Sequence, residues 1–367
     1  MTEVTVPEPR VAVRENVALM EGYHSPQIDV RVRLNTNESP VMPPQAWLGA
    51  LQAAQSQIAW NRYPDRSATK LRAAIAQHEG VAPEQVFAAN GSNEVLQAVM
   101  LAFGGPARKA LVFEPTYALH SHIARLAATE VVAAQRCEDF SIDLTHAIDT
   151  LAAERPAVTF LCSPNNPTGT VDAPECTDTL LAEVTVLGGL LLVDEAYGQF
   201  AAHSAIGMID EARPLAVART YSKTWSMAAA RLGYLIAPSW VVAALDKVAL
   251  PYHLDSFKQI AGCLALEYHT EMSQRVAELT KERERLAVAL GSLEVQQWPS
   301  GANFILFRPN HGDGQKVWEQ LLERSVLVRN CASWPNLSGC LRVTVGTKTE
   351  NDAFLSALSD VLSEVKQ

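Results

Sequence analysis

In this chain of 367 residues, Thr220-Tyr221-Ser222-Lys223 closes an apolar run and Arg231 follows shortly after. An amine held at a strand end can bond a carbonyl carbon as a Schiff base once its surroundings depress its pKa. Two hydroxyls beside a guanidinium make a cradle for a dianion. Taken alone, the tetrapeptide fits a surface lysine as well. Upstream, the apolar run 189–193 delivers Asp194-Glu195-Ala196-Tyr197. A carboxylate at the carboxyl end of a parallel strand stands where open sheets bind ligands. It can pair with a protonated ring nitrogen, which keeps a cofactor ring cationic and a better electron sink. Tyr197 can donate to a phenolic oxygen on such a ring. A helix N-cap is an equally good reading of Asp194.

Two further segments carry the same kind of signal. The run 157–162 enters Ser163-Pro164-Asn165-Asn166-Pro167-Thr168-Gly169, a turn whose Pro, Asn and Gly content largely fixes its backbone. Such a turn can aim an amide rigidly at a ligand, or it can be a plain loop. Asn90-Gly91-Ser92-Asn93-Glu94 opens a helical pattern, and the free N–H groups and dipole of a helix start favour a phosphate, a role compatible with simple capping. By contrast, Gly104-Gly105-Pro106-Ala107-Arg108-Lys109 lacks the G-K-[ST] of a nucleotide loop and runs into a strand instead of a helix. His120 and His122 sit two apart on a helical stretch and so point to different faces. They read as structural, and no metal is expected.

The elements that must position these groups alternate. Continuous apolar runs at 110–113, 157–162, 189–193, 215–220 and 232–237 are interleaved with helical patterns at 69–78, 94–102, 120–127 and 177–187. That alternation predicts an α/β fold, a mostly parallel sheet buried on both faces by helices. Consecutive strand ends would bring Asn166, Asp194 and Lys223 to one rim. A long helix with apolar positions Met272, Val276, Leu279, Leu286 and Leu290 follows, then short strands at 303–307, 326–329 and 341–345 and a closing helix at 352–365. The expected organisation is a large domain over 45–255 and a small α+β domain built from 1–44 and 256–367. The N-terminal part packs there without a sheet of its own.

Composition narrows the function classes. Apolar residues make up 48% and charged residues 19%, as in ordinary globular domains. A net charge of −10 has the wrong sign for neutralising phosphates of a nucleic acid. No apolar stretch approaches the ~20 residues a bilayer requires, and the first residues lack the basic head and apolar block of a signal peptide. The six cysteines contain no C-x-x-C pair, so reduced thiols and a cytoplasmic location are expected.

Asn166-Pro167-Thr168-Gly169, Asp194-Glu195-Ala196-Tyr197, Ser222-Lys223 and Arg231, in this order and spacing, resemble the fold-type I, pyridoxal-phosphate-dependent aminotransferases of classes I and II. Further stretches resemble the histidinol-phosphate aminotransferases among them. These are Leu34-Asn35-Thr36-Asn37-Glu38-Ser39-Pro40, Arg62-Tyr63-Pro64-Asp65, Gly91-Ser92-Asn93-Glu94, Glu114-Pro115-Thr116-Tyr117, Pro251-Tyr252, Val328-Arg329 and Leu341-Arg342-Val343-Thr344-Val345-Gly346. The likeness spans about residues 23 to 346.

The resemblance implies pyridoxal 5′-phosphate as cofactor, with Lys223 as its Schiff-base lysine, Asp194 on the pyridine nitrogen, Tyr197 and Asn166 on the ring oxygen, and Tyr117 on the ring face. It assigns the cofactor phosphate to Ser92, Asn93, Thr220, Ser222 and Arg231, with Tyr63 reaching across from the second subunit of a homodimer. Substrate binding falls to Arg342 and Arg329, with Tyr23, Asn37 and Tyr252 as neighbours, although a surface ion pair also accounts for Arg329. The implied reaction transfers an amino group between histidinol phosphate and 2-oxoglutarate, giving glutamate, in two alternating half-reactions. An aromatic amino-acid aminotransferase and a phosphothreonine decarboxylase on the same scaffold are the competing enzymes. A regulatory module fused to a DNA-binding head is disfavoured by the acidic charge and the lack of a helix-turn-helix segment. Two departures touch the pocket: Asn93 stands where aspartate is frequent, and His120 where a second tyrosine often closes the Pro-Thr-Tyr segment.

Overall fold

The computed structural model describes residues 11–18, 20, 22, 27–311 and 313–365. Its strands, in chain order, are β1 (Val32–Leu34), β2 (Val86–Ala89), β3 (Lys109–Glu114), β4 (Glu130–Gln135), β5 (Val158–Cys162), β6 (Leu190–Asp194), β7 (Leu215–Thr220), β8 (Gly233–Ile236), β9 (Val295–Gln297), β10 (Phe304–Pro309), β11 (Val326–Asn330) and β12 (Leu341–Thr344).

The continuous apolar runs form the centre of a seven-stranded sheet ordered β2-β8-β7-β6-β5-β3-β4. Neighbours from β7 to β4 pair in parallel, whereas β8 runs antiparallel to both β2 and β7. Every residue of β5, β6 and β7 is buried, which explains why these strands read as unbroken apolar runs. Their side chains alternate between two helical layers. Val112, Phe160 and Leu192 pack with Leu96, Ile123 and Val241 from the helices Ser92–Phe103, Leu119–Leu126 and Ser239–Val248. Leu111, Leu161 and Leu191 face Leu71, Leu151, Leu180 and Ala261 from the helices Thr69–Glu79, Leu144–Glu154, Pro174–Leu187 and Ser256–Glu267.

A second sheet, β1-β11-β12-β10-β9, is covered by the helices Gly314–Glu323 and Lys348–Val365. The N-terminal segment, expected to pack here without a sheet of its own, adds one strand, β1, to this sheet, paired in parallel with β11. Three residues with only Val32 and Leu34 buried are too few to show a period. The helix His269–Gly291 runs between the two cores, with Met272 in the first and Leu286 and Leu290 in that of the second sheet. All six cysteines are free. Among the described residues, no helix is long and apolar enough to cross a membrane.

Candidate active site

The parallel strands end on one edge, and the chemistry collects there. Asp194 is the last residue of β6, Thr220 the last of β7, Asn166 follows β5 by four residues and Tyr117 follows β3 by three. Their side chains line one cavity of about 370 Å³ together with Lys223, Tyr197, Ser92, Asn93, Ser222, Arg231, Asn37, Arg329 and Arg342. Groups separated by more than a hundred residues in sequence therefore meet at the carboxyl ends of adjacent strands, where open α/β sheets bind ligands.

Lys223 stands three residues beyond β7, and its Nζ donates to the Thr36 carbonyl at 3.1 Å. Burial lowers its pKa to about 7; Arg342 and Arg231 push it the same way, and Glu38 opposes them. Asp194 is buried, with Oδ1 accepting from the Ala196 N–H at 3.0 Å and Oδ2 lying 2.9 Å from His120 Nε2. Tyr197 accepts from Asn37 Nδ2 at 2.9 Å, and burial raises its phenol pKa to about 12. Asn37 is held in a left-handed conformation (φ 55°) by a two-way bond with Thr344, whose Oγ1 accepts from the Asn37 N–H and donates to Oδ1, each at 3.0 Å. The N-terminal segment thus clamps Tyr197 from the side of the second sheet.

Beside these groups lies a cradle. Thr220 Oγ1 and Ser222 Oγ are 3.0 Å apart, and Arg231 Nη1 donates to Ser222 Oγ at 3.3 Å. The helix Ser92–Phe103 begins after Gly91 without a side-chain cap, so its first N–H groups are available to an anion. The close approach is possible because Gly91 (φ +81°) has no Cβ; one built there would lie 2.8 Å from Arg231 Nη2. Gly233 likewise makes room, since its Cβ would sit 2.5 Å from the Ser92 nitrogen. A hydroxyl pair, a guanidinium and a helix start around one hollow fit a phosphate, and Lys223 with Asp194 beyond it fit a pyridine aldehyde.

Arg342 Nη2 donates to the Asn35 carbonyl at 3.0 Å and Nη1 to Asn166 Oδ1, while its guanidinium lies over the Phe304 ring at 5.0 Å. Arg329 is its direct cross-strand partner and lies 5.2 Å from the Trp334 ring centroid. Tyr117 donates to Asn93 Oδ1 at 3.3 Å, so asparagine at 93 still holds the tyrosine.

Of the remaining expected residues, Tyr63 and Tyr252 do not line this cavity, and Tyr63 was expected to reach that of a second subunit. Tyr63 is 81% exposed and stacks on Tyr252 with ring centroids 4.5 Å apart; neither lines the cavity of its own chain. Tyr23 lies outside the described residues. His120 requires a correction. It is no mere core residue, since it contacts Asp194 directly and stacks on Phe160 at 4.8 Å. His120 is the second residue of the helix Leu119–Leu126, and no local spacing in the sequence marks its reach to Asp194, 74 residues away. The donor atoms of His120, Cys162 and Asp194 lie within 4.8 Å of one another, but the first and last already bond each other and burial keeps the Cys162 thiol protonated. Thr36, Glu38 and Trp334 also line the cavity without having been singled out from the sequence.

The family pattern described as aminotransferase class I and II matches residues 30–358. A histidinol-phosphate aminotransferase of Frankia casuarinae is 44% identical over 363 residues, covering 96% of this chain and 90% of its own. Among solved structures, the histidinol-phosphate aminotransferase of Sinorhizobium meliloti in complex with pyridoxal-5′-phosphate superposes with a TM-score of 0.88 at 20% identity, covering 96% of this chain and 98% of that one. The L-threonine-O-3-phosphate decarboxylase of Porphyromonas gingivalis superposes with a TM-score of 0.79 at 21% identity, covering 90% and 99%. The fold is therefore common to proteins with different names, and the sequence match carries the assignment: the chain belongs to the class I and II aminotransferases.

Proposed function

We propose that the chain transfers an amino group between L-histidinol phosphate and 2-oxoglutarate, giving imidazole-acetol phosphate and L-glutamate in histidine biosynthesis, with pyridoxal phosphate held in the cavity. The observation that carries the substrate reading is the direct opposition of Arg329 and Arg342 on β11 and β12, both lining the cavity that contains Lys223. Like charges directly opposite one another destabilise a sheet, and an anion between them reverses the sign. Histidinol phosphate has no α-carboxylate, so its phosphate can take the place that a carboxylate of glutamate takes in the other half-reaction. The name of the Frankia relative supports the same substrate.

Thr220, Ser222, Arg231 and the N–H groups of Ser92 and Asn93 are the groups that would hold the cofactor phosphate. When bound, pyridoxal phosphate supplies an electrophilic carbon and a ring that takes up the electron pair left when a Cα–H bond breaks. Lys223, with a pKa near neutrality, is the base that accepts the Cα proton and the acid that returns it. Asp194, oriented by His120 and the Ala196 N–H, holds a proton at the ring nitrogen. Tyr197 and Asn166 serve the ring oxygen. Asn166 Oδ1 is engaged by Arg342, which leaves its amide N–H groups as the donors.

We further infer a cytoplasmic homodimer. The exposure of Tyr63 and its stacking on Tyr252 outside the chain's own cavity support a place for Tyr63 at the phosphate of a second copy. Light scattering that finds only monomers would remove that part of the reading. The substrate assignment is tested by incubation with histidinol phosphate and 2-oxoglutarate, followed for glutamate. Its formation is expected; carbon dioxide from phosphothreonine with no glutamate would instead mark a decarboxylase.

A further inference from the structure

The segment between β11 and β12 is folded by three successive turns, in which Trp334 N–H donates to the Cys331 carbonyl, Leu337 N–H to Trp334 and Cys340 N–H to Leu337, at 3.0, 3.2 and 2.9 Å. This three-residue period turns Cys331, Trp334, Leu337 and Cys340 toward one apolar cluster with Phe140 and Leu306. Two hydrogen bonds then tie the segment to the ends of β3 and β4. Trp334 Nε1 donates to the Thr116 carbonyl at 2.9 Å, and Asn336 Nδ2 to Gln135 Oε1 at 2.8 Å. Thr116 immediately precedes Tyr117 in the sequence. The indole is thus fixed at its edge by the large sheet while Arg329, from the small sheet, lies over its ring.

We propose that Trp334 is a positioning residue that holds the Arg329 guanidinium at the anion pocket and thereby sets affinity for the anionic group of both substrates. The argument is electrostatic. Arg329 and Arg342 oppose each other on neighbouring strands, so each guanidinium is repelled by the other and would swing toward solvent unless held. Arg342 has Phe304 beneath it and two hydrogen-bond acceptors. Trp334 gives Arg329 the corresponding aromatic face, and a cation held over an indole gains most where water is excluded. The inference rests on the reading of the two arginines as an anion site, and its test separates the two.

Inorganic phosphate is titrated calorimetrically into the cofactor-loaded protein, so that the cofactor cradle is already filled. The wild type, Trp334→Leu, Trp334→Phe and Arg342→Ala proteins are compared. Trp334→Leu should weaken phosphate binding roughly 5- to 10-fold, whereas Trp334→Phe, which keeps an aromatic face, should stay within about threefold of wild type. In steady state, Trp334→Leu should raise KM for both substrates with kcat nearly unchanged and the cofactor absorbance unaltered. Wild-type phosphate affinity in Trp334→Leu, or a fall in kcat with unchanged KM, overturns the role of Trp334. If the wild type binds phosphate no better than Arg342→Ala, the anion-site reading itself falls, and the role of Trp334 with it.

Discussion

His120 Nε2 and Asp194 Oδ2 are 2.9 Å apart, and both side chains are sealed from solvent. An ionised carboxylate can only accept, and toward it the imidazole Nε2 is the donor. The opposite ring nitrogen, Nδ1, has no hydrogen-bond partner among the described residues, and the ring stacks on Phe160. A charge-assisted bond in a buried site contributes about 1.5–3 kcal/mol. His120→Leu should therefore lower kcat by roughly tenfold or more, and His120→Gln, which restores an N–H at similar reach, should recover much of the loss. Equal damage in both variants would mean that the ring acts only by packing.

The amine of Lys223 makes stability depend on pH in the cofactor-free protein. Its folded pKa of about 7 lies below the ordinary lysine value, so the unfolded chain binds the extra proton between about 7 and the ordinary value, and stability rises with pH across that window. Thermal melting of cofactor-free wild type and Lys223→Met should show the variant gaining most at pH 7 and below, the gap closing toward pH 10. A gap independent of pH would contradict a buried, neutral amine.

Gly91 is required by geometry. Gly91→Ala adds both an unfavourable φ and a contact with Arg231 Nη2, and such strain costs about 1–3 kcal/mol. Cofactor affinity, read by spectral titration, should fall about tenfold. Gly49→Ala, with nothing within 4 Å of the added carbon, is the matched control and should leave it unchanged.

Arg342 is bonded to Asn166 and to the Asn35 carbonyl, and lysine cannot reproduce a planar two-sided donor. Arg342→Lys should raise KM for histidinol phosphate and for 2-oxoglutarate alike, by roughly thirtyfold or more. A defect confined to one substrate would show that the two anions bind at different places.

Much of this site could be read from the chain because its members sit at the ends of buried strands. Asp194, Thr220 and Lys223 follow unbroken apolar runs, and Asn166 lies in a turn whose composition fixes it. The missed elements have physical reasons. β4 is a largely solvent-facing edge strand, and β2 is four residues long, so neither shows a clear period. β1 and β9 are shorter still, at three residues each. Trp334 reaches Thr116 across 218 residues of sequence, a contact that no local pattern encodes. The stack of Tyr63 on Tyr252, far apart in the chain, is likewise a contact that local sequence does not encode.

Convergence of Lys223, Asp194 and Asn166 on one cofactor ring is the claim on which the rest depends, and covalent trapping tests it most directly. The protein is loaded with pyridoxal phosphate, reduced with borohydride, digested and examined by mass spectrometry. The account predicts the phosphopyridoxyl group on the peptide carrying Lys223, with no labelling in Lys223→Ala. Labelling of another lysine, or of none, would contradict it.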